Sequence, residues 1–541
     1  MRKLLKVFGV IIVVLGILAV IGAGLGYRYY FDPVDISQRQ AKFTISPETT
    51  YVTEPVDSLG YVDYEAAVNQ RLSKGIKPEE NAVVFLLKAT GPNPERGNLS
   101  DRFYQSLGVP RREKTPDDYI NHRLYAEDKR ADSKSRDPDF FVDEQPLMSR
   151  PWLAKDHPVC VEWLEKNAVA LKYADQASRC PKYYFPSIIP QRDTPGHNGL
   201  ASLMHVLLPI LQPTRDLANA LICRAMLKLG EGRHDEAWAD LLSVHRLSRL
   251  TSHSGSFIGN LVGYAIEIKV LQADLVYLEV AKPNANKIRT LLNDLDELPS
   301  HAEIAATLNQ IERLMFLETL QNVYRHGVDV LDADANNKNE MKRTTRATRT
   351  WLNAQDWDVI FTMGNEWFDR YEAAYRIPNR SERATEIADI KTELYFLADA
   401  SRNITGDKLV ASVTGSAASG QSERLAYFVL RMMTPALDKI NDSNDRREQK
   451  FQNLQVAMAL AAYQADHGQY PETLTALQPK YLPTVPLDLF SGEPLIYEPD
   501  NKGYLLYSVG ENGIDDGGQA KDDNMPCDDL VVRMPLPPVR K

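Results

Sequence analysis

Hydrophobic and polar residues follow one another along most of this chain with the three- and four-residue spacing of amphipathic helices. The pattern dominates from about residue 151 to residue 440. Residues 31–150 are mixed and rich in proline and charge. A stretch of small residues at 412–422 precedes a further helical pattern, which runs from about residue 423 to His467. The chain is therefore predicted to be mainly α-helical.

The clearest helical segment is Leu217–Leu250, LANALICRAMLKLGEGRHDEAWADLLSVHRLSRL. Two apolar stripes flank the sequence GEG at 230–232, where a tight turn needs residues that tolerate a positive φ. Small side chains stand at Ala225 and Ala237, where two helices would approach closely. The segment resembles one helical hairpin of the tetratricopeptide type. No second copy follows at a 34-residue period, so we do not expect a repeat array.

Beyond residue 467 the spacing becomes that of short strands. Leu495–Glu498 and Tyr504–Val509 are predicted strands joined by the turn 500–503, and Leu530–Arg533 is a third. The helix before them carries one apolar stripe. The simplest packing of these elements is one helix across a small antiparallel sheet. The residues of that stripe are Phe451, Leu454, Met458, Ala461 and Ala465.

The N-terminal end of the sequence predicts a membrane anchor. An uninterrupted apolar run extends from Val7 to about Leu25, which is long enough to cross a bilayer core and longer than a typical signal-peptide apolar region. Basic residues precede the run and acidic residues follow it, which predicts a cytoplasmic N-terminus. We therefore expect a single-pass protein of the cell membrane whose bulk is extracytoplasmic, in the periplasm. The alternative is a cleaved signal peptide.

These patterns together predict four parts. Residues 1–30 form the cytoplasmic tip and the transmembrane helix, and residues 31–150 form the mixed region. Residues 151–440 form a large α-helical extracytoplasmic body, and residues 441–541 form a small α+β domain with an antiparallel sheet. The formal net charge of −10 argues against a general nucleic-acid binder, so we expect no nucleic-acid partner.

Three short motifs follow one another within roughly residues 445–533. A helix ends in a D-x-G-x-Y-P turn, a P-x-D segment with an aromatic residue and a glycine follows, and the second strand of a hairpin carries Y-S-V-G. The residues of these motifs are Asp466, Gly468, Tyr470, Pro471, Pro486, Asp488, Phe490, Gly492, Tyr507, Ser508, Val509 and Gly510. In this order they resemble the globular domain of type II secretion major pseudopilins, in which the last motif reads Y-S-L-G. The chain as a whole also resembles large membrane-anchored bacterial proteins.

The resemblance implies a structural calcium ion in the acidic loop that follows the second strand. Calcium takes six to eight oxygens from carboxylates, carbonyls and waters, and the ion would remove the repulsion among paired carboxylates. The alternative is an acidic loop without order that charge keeps soluble. Asn512 stands where the family has an aspartate, so the match is imperfect. The candidate ligands are Val509, Asn512, Asp515, Asp516, Asp522, Asp523, Asp528 and Asp529.

The sequence also departs from the pseudopilin pattern. No prepilin-peptidase site accompanies the apolar run, and about 400 residues separate that run from the pseudopilin-like part. We therefore do not expect this chain to assemble into a filament.

No motif for nucleotide binding, zinc catalysis or an activated serine is present in the chain. His205, His245 and His253 are scattered over helical segments, which is typical of structural histidines. We predict no catalytic residues, no organic cofactor and no enzyme activity.

The resulting hypothesis is a scaffold or interaction protein of the bacterial envelope, related to secretion, with protein partners among envelope or secretion components. Two alternatives stay open. One is an envelope hydrolase whose site is assembled in the helical body. The other is an accessory subunit of a secretion apparatus that recognises true pseudopilins.

Overall fold

The computed structural model describes residues 39–94, 99–131, 145–189, 202–206, 208–327, 346–400, 419–500, 502–520 and 526–538. The predicted anchor at 7–25 lies outside these residues, as do the candidate ligands Asp522 and Asp523. Within the described part, no helix is both long enough and apolar enough to cross a membrane. Helices account for 61% of the structure, and a small antiparallel sheet lies at its C-terminal end, so the mainly helical prediction is confirmed.

The described chain begins with seven short helices, up to residue 178. The first follows Asp63, whose carboxylate caps it by accepting a hydrogen bond from the Ala66 amide. Asn81 caps the second in the same way, through Val83. The bounds are α1 Tyr64–Ser73, α2 Ala82–Thr90, α3 Asp101–Leu107, α4 His122–Ala131, α5 Gln145–Ser149, α6 Pro158–Lys166 and α7 Ala168–Ser178.

The predicted hairpin is formed by α8, Leu211–Gly230, and α9, His234–Ser252. Gly232 adopts a φ of +77° in the turn between them, which is the positive φ that the sequence indicated. Ala225 and Ala237 are fully buried. The next helix, α10, spans Phe257–Ala281 and packs along α9. Close packing of these helices therefore follows from the small residues that the sequence placed there.

The remaining helices of the body lead into one long C-terminal helix. A π-helical turn at Leu308–Glu312 joins two of the shorter helices. The bounds are α11 Ala285–Asp296, α12 Ile304–Thr307, α13 Arg313–His326, α14 Arg346–Asn353, α15 Trp357–Tyr375, α16 Arg380–Ala400 and α17 Ser419–His467.

Helix α17 has 49 residues and is about 73 Å long at about 1.5 Å per residue. It ends where the sequence predicted, since Gly468 follows with a φ of +78°. The helix continues through position 440, where the sequence analysis set a domain boundary. Its first half packs against α15 and α16, and its second half packs against α10, α11 and the sheet.

The sheet contains the three predicted strands, β1 Ile496–Pro499, β2 Tyr504–Ser508 and β3 Leu530–Met534. They are antiparallel in the order β1-β2-β3, with Ile496 opposite Tyr507 and Tyr507 opposite Val531. The sheet packs on α17. We call the sheet, the connecting loops and the second half of α17 the C-terminal module, residues 445–538.

Two large hydrophobic cores lie along α17. The first core contains α8–α11 and the C-terminal module, including Leu454. The second core contains α13, α15, α16 and the first half of α17, including Ile440. The two cores meet along α10, because Phe257 and Tyr264 at its beginning belong to the second core while Ile266 and later residues belong to the first.

Because α17 contributes to both cores, we expect the body and the C-terminal module to unfold together. Leu454→Ala in the first core and Ile440→Ala in the second should each lower the free energy of unfolding by about 2–5 kcal/mol, and each should shift one common transition. Met432→Ala on the exposed face of the same helix is the control and should change stability by less than about 0.5 kcal/mol. Thermal unfolding followed by circular dichroism measures this. Two separate transitions, each sensitive to one substitution, would contradict shared folding.

The acidic loop, the buried ionic network and the surface cleft

The acidic loop begins at the end of β2, where a buried carboxylate from an earlier segment binds the main chain. The sequence showed this carboxylate only as a position of the P-x-D motif. Asp488 is 2% exposed. Its carboxylate accepts hydrogen bonds from the Ser508 hydroxyl at 2.8 Å, the Val509 amide at 3.0 Å and the Phe490 amide at 2.9 Å. This one side chain therefore joins the segment before the sheet to the end of β2, which is the point where the acidic loop leaves the sheet.

The two aspartates before β3 close the loop by binding main-chain amides on its other side. Asp528 Oδ2 accepts from the amides of Glu511 at 3.0 Å and Asn512 at 3.2 Å. Asp529, which is buried, accepts from the Gly518 amide at 2.8 Å. Burial raises the pKa of Asp529, and the neighbouring charges of other loop carboxylates raise it further.

The other two described aspartates of the loop are bound in the same manner. Asp516 Oδ2 accepts from the Asp528 amide at 3.1 Å. Asp515 Oδ1 accepts from the Gly517 amide at 2.9 Å and the Tyr507 hydroxyl at 3.1 Å. Burial and the bond to Asp515 raise the pKa of Tyr507 to about 12. Main-chain N–H groups thus offset part of the repulsion among the carboxylates.

The structure brings six of the eight predicted ligands into one loop: Val509, Asn512, Asp515, Asp516, Asp528 and Asp529. One carboxylate oxygen, Asp528 Oδ1, is buried and has no hydrogen-bond partner among the residues that the structure describes. A buried carboxylate oxygen without a donor is chemically suited to a hard cation such as calcium. Among the described residues, no three histidine, cysteine, aspartate or glutamate side chains already converge in a metal-binding arrangement.

Helix α17 holds this loop in place through polar side chains. Arg446 forms an ion pair with Glu511 at 2.8 Å. Gln449 accepts a hydrogen bond from the Leu489 amide at 2.6 Å, and Asn453 donates to the Leu530 carbonyl at 2.8 Å. The loop therefore takes its orientation from the same helix that runs through the body.

A second cluster, of buried ionisable side chains, lies at the seam between the two cores. It was not predicted from the sequence. At its centre is Glu267 on α10, which is fully buried. Its carboxylate contacts Arg249 at 2.6 Å, Arg447 at 3.1 Å and His301 at 2.7 Å. The partners come from α9, from α17 and from the segment before α12, so one carboxylate joins three separate parts of the chain to α10.

His245 extends this ionic network toward the first core. Its Nε2 lies 2.8 Å from Asp274, and its Nδ1 lies 3.8 Å from Glu267. Burial alone would lower the pKa of His245, but the carboxylates of Asp274 and Glu267 outweigh it and raise the pKa to about 9. The raised pKa favours the charged form of His245, whose charge opposes the effect of burial on Glu267 and Asp274, although burial still leaves the pKa of Asp274 raised.

Burial acts in opposite directions on the pKa values of Glu267 and His301. Burial lowers the pKa of His301 to about 4, with the charges of Arg447 and Arg249 acting in the same direction. Burial also opposes the ionisation of Glu267, but His245, His301 and Arg249 outweigh it and hold the pKa of Glu267 well below its usual range. Neutral His301 therefore donates to an ionised Glu267.

The sequence did contain a signal for this network. Glu267 and Asp274 are isolated acids seven residues apart in a long apolar helix, so they lie on one face of it. Buried acids of this kind need charged partners. Which residues supply them depends on helices that are distant in the sequence. His245, which the sequence analysis took as structural, is indeed buried and paired.

A shallow surface cleft of about 330 Å³ lies apart from the network, beside α1. Tyr51 lines it and adopts a φ of +61°, which is uncommon for a residue other than glycine. The guanidinium of the buried Arg313 lies 4.4 Å from the centre of the Tyr51 ring. The lining residues are Pro47, Tyr51, Val52, Thr53, Glu54, Ala67, Gln70, Arg71 and Lys74.

Comparison with known proteins provides no relative of this chain: no protein-family model, no curated protein and no solved structure matches it.

The ionic network predicts that the free energy of unfolding falls both above and below neutral pH. Different residues cause the loss on the alkaline side and on the acid side. His245 has a raised pKa, so its contribution is complete below about 6.5 and is lost as the pH rises through about 9. His301 has a lowered pKa, so its contribution is complete above about 6.5 and is lost as the pH falls toward about 4. Glu267 also loses its contribution on the acid side.

We expect His245→Gln to remove an alkaline slope of at most about 1.4 kcal/mol per pH unit. Urea unfolding of the full chain at a series of pH values measures it, and Asp274→Asn provides a second variant. The matched control is His253→Gln, because His253 is exposed. An unchanged alkaline slope in both network variants would show that His245 is not charged in the folded protein.

Proposed function

We propose that this chain is a single-pass, membrane-anchored scaffold or interaction protein of the bacterial envelope, related to secretion, which presents a pseudopilin-like, calcium-stabilised module on an extracytoplasmic helical body. The N-terminal apolar run would be the anchor, and the binding surfaces would be those of the body and the module. The observation that carries the proposal is the way α17 joins the two.

A continuous helix embedded in two cores fixes the module rigidly to the body. Residues of α17 around Ile440 are buried in the second core, and residues around Leu454 are buried in the first. A flexible linker would let the module move independently, whereas a shared helix sets its distance and direction. A protein that holds one binding surface at a fixed position relative to another has the geometry of a scaffold.

The burial of the ionic network favours this proposal over an envelope hydrolase. A catalytic group has to contact its substrate, and the side chains of His245, Glu267 and Asp274 have no exposed surface. The surface cleft beside α1 is accessible, but no histidine lines it. An active site combines groups of strongly shifted pKa with an accessible concave surface. Here the shifted groups lie in the buried network and the concave surface lies beside α1, so the two features are separate.

The outer surface of the module offers a place for a protein partner. Leu487 and Ile514 are 56% and 61% exposed, and Ile514 lies within the acidic loop. Apolar side chains beside charged ones are typical of protein interfaces, where the apolar groups supply most of the affinity and the charges select the partner. A partner with a basic surface around an apolar recess would fit this combination.

Calcium would act on the module as a structural ion. Asp528, whose Oδ1 has no donor within the described part of the loop, would contribute directly, together with other oxygens of the loop. The ion would hold the two ends of the loop together by offsetting the charge that the main-chain amides leave uncompensated.

We therefore expect calcium to raise the melting temperature of the full chain and a chelator to reverse the rise. At a calcium concentration of about 100 times Kd, the added stability would be about 2.7 kcal/mol. Asp528→Asn should abolish the response. Asp500→Asn is the matched control, because Asp500 lies in the β1–β2 turn and its side chain accepts from the nearby amides of Lys502 and Gly503.

Equal melting temperatures with calcium and with chelator would exclude a structural calcium ion. A response that survives in Asp528→Asn but is lost in another loop variant would keep the ion and reassign its ligands.

The scaffold proposal is tested by cross-linking the full chain in its native envelope. Truncation before the module is unsuitable, because it would cut α17 and remove Leu454 from the first core. We expect the double variant Leu487→Ser and Ile514→Ser to lose specific cross-linked proteins that the unchanged chain captures. Leu124→Ser, which alters a 50% exposed leucine far from the module in sequence, is the control and should keep them. Identical captures by all three chains would contradict binding through the module.

A further inference from the structure

Helices α16 and α17 form an antiparallel pair with an unusual surface at one end. Arg383 pairs with Asp445 at 2.7 Å, and Arg431 pairs with Asp399, which sets the direction of the pair. Three large apolar side chains near the Asp399–Arg431 end are exposed: Phe396 by 74%, Phe428 by 49% and Met432 by 45%. Single exposed apolar residues are ordinary, but three near one end of a helix pair are a candidate contact surface.

The chain enters the structure at this same end. Arg39, the first described residue, donates to Asn353 at the end of α14 at 2.7 Å. Ser422, near the start of α17, accepts from the Asp356 amide at 2.9 Å, just before α15. Thr44 donates to Asp358 at 2.7 Å. The first described residues, the start of α15 and the start of α17 therefore lie together.

Few residues separate this end from the predicted anchor. Residues 26–38 connect the apolar run to Arg39, and these thirteen residues span at most about 45 Å when fully extended. The acidic loop lies farther away, because its contact Arg446 is twenty-four residues beyond Ser422 on α17, about 36 Å along the helix. The end that carries Phe396, Phe428 and Met432 is thus the end of α17 nearer to the point where the predicted anchor joins the described chain.

From this placement we infer that Phe396, Phe428 and Met432 form a membrane-contacting surface, which enters the interfacial layer of the same bilayer that holds the anchor. The inference rests on the proposed membrane anchor. Phenylalanine and methionine side chains gain free energy on leaving water for that layer, which peripheral helices enter by about 5–10 Å. The exposed Arg424 lies one turn from Phe428 and would face lipid phosphates.

This surface has a consequence for the scaffold. With only a single anchor and a connecting segment, the body would be free to tilt. A second contact at α16 and α17 would restrict the tilt, so that α17 directs the C-terminal module away from the bilayer. The orientation of the module would then depend on three apolar side chains as well as on the anchor.

The test places a tryptophan on the surface of the full chain in liposomes of phosphatidylethanolamine and phosphatidylglycerol. Phe396→Trp is compared with Ile514→Trp, a similarly exposed position on the C-terminal module. Brominated acyl chains quench tryptophan only on contact. After subtraction of the signal from the unchanged chain, we expect the added emission of Phe396→Trp to be lost in brominated liposomes and that of Ile514→Trp to be retained. Circular dichroism confirms that both variants are folded.

Flotation of the same liposomes reports on the anchor separately. A chain that floats but shows no quenching at position 396 would overturn the membrane-contacting surface and leave the anchor intact. In that case, emission from position 396 that shifts to the blue with rising protein concentration would assign the surface to a second copy of the chain instead. A chain that does not float would remove both the anchor and this inference.

Discussion

The arrangement of the whole molecule depends on one buried carboxylate, that of Glu267. It meets Arg249, Arg447 and His301 at the seam between the two hydrophobic cores. A buried ion pair adds little net stability, because desolvation offsets most of the attraction. Its removal is another matter, since Arg249 and Arg447 would each lose a buried carboxylate partner. We expect the network to act on specificity, because it favours the register of α17 on α10 that brings Arg447 to Glu267.

Helix α17 also holds the acidic loop, the second charged cluster. There a different kind of partner offsets the repulsion among like charges. In the network, arginines and a charged histidine surround the acids. In the acidic loop, main-chain amides bind the carboxylates of Asp515, Asp516, Asp528 and Asp529. Amides carry partial charges only, so they offset less of the repulsion. The interior cluster thus has charged side-chain partners for its acids, and the surface cluster is the one in which the proposed calcium ion would have a role.

These two clusters explain how the proposed scaffold would hold its parts in fixed positions. The seam fixes α17 relative to the body, and α17 in turn fixes the acidic loop through Arg446, Gln449 and Asn453. With the proposed membrane-contacting surface at one end and the module at the other, the body would act as a spacer of defined length.

The sequence by itself determined the local elements: the α8–α9 hairpin around its GEG turn, the end of α17 at His467 and the three short strands. Each depends on periodicity or on a glycine that permits a positive φ, and both are visible in a few consecutive residues. It also showed that carboxylates cluster near the C-terminus. Only the tertiary structure decided that Asp528 and Asp529 return to bind amides near Asn512 and Gly518, and that Glu267 meets Arg447. Such contacts join residues up to 180 positions apart, and packing of several helices selects them, which no local pattern records.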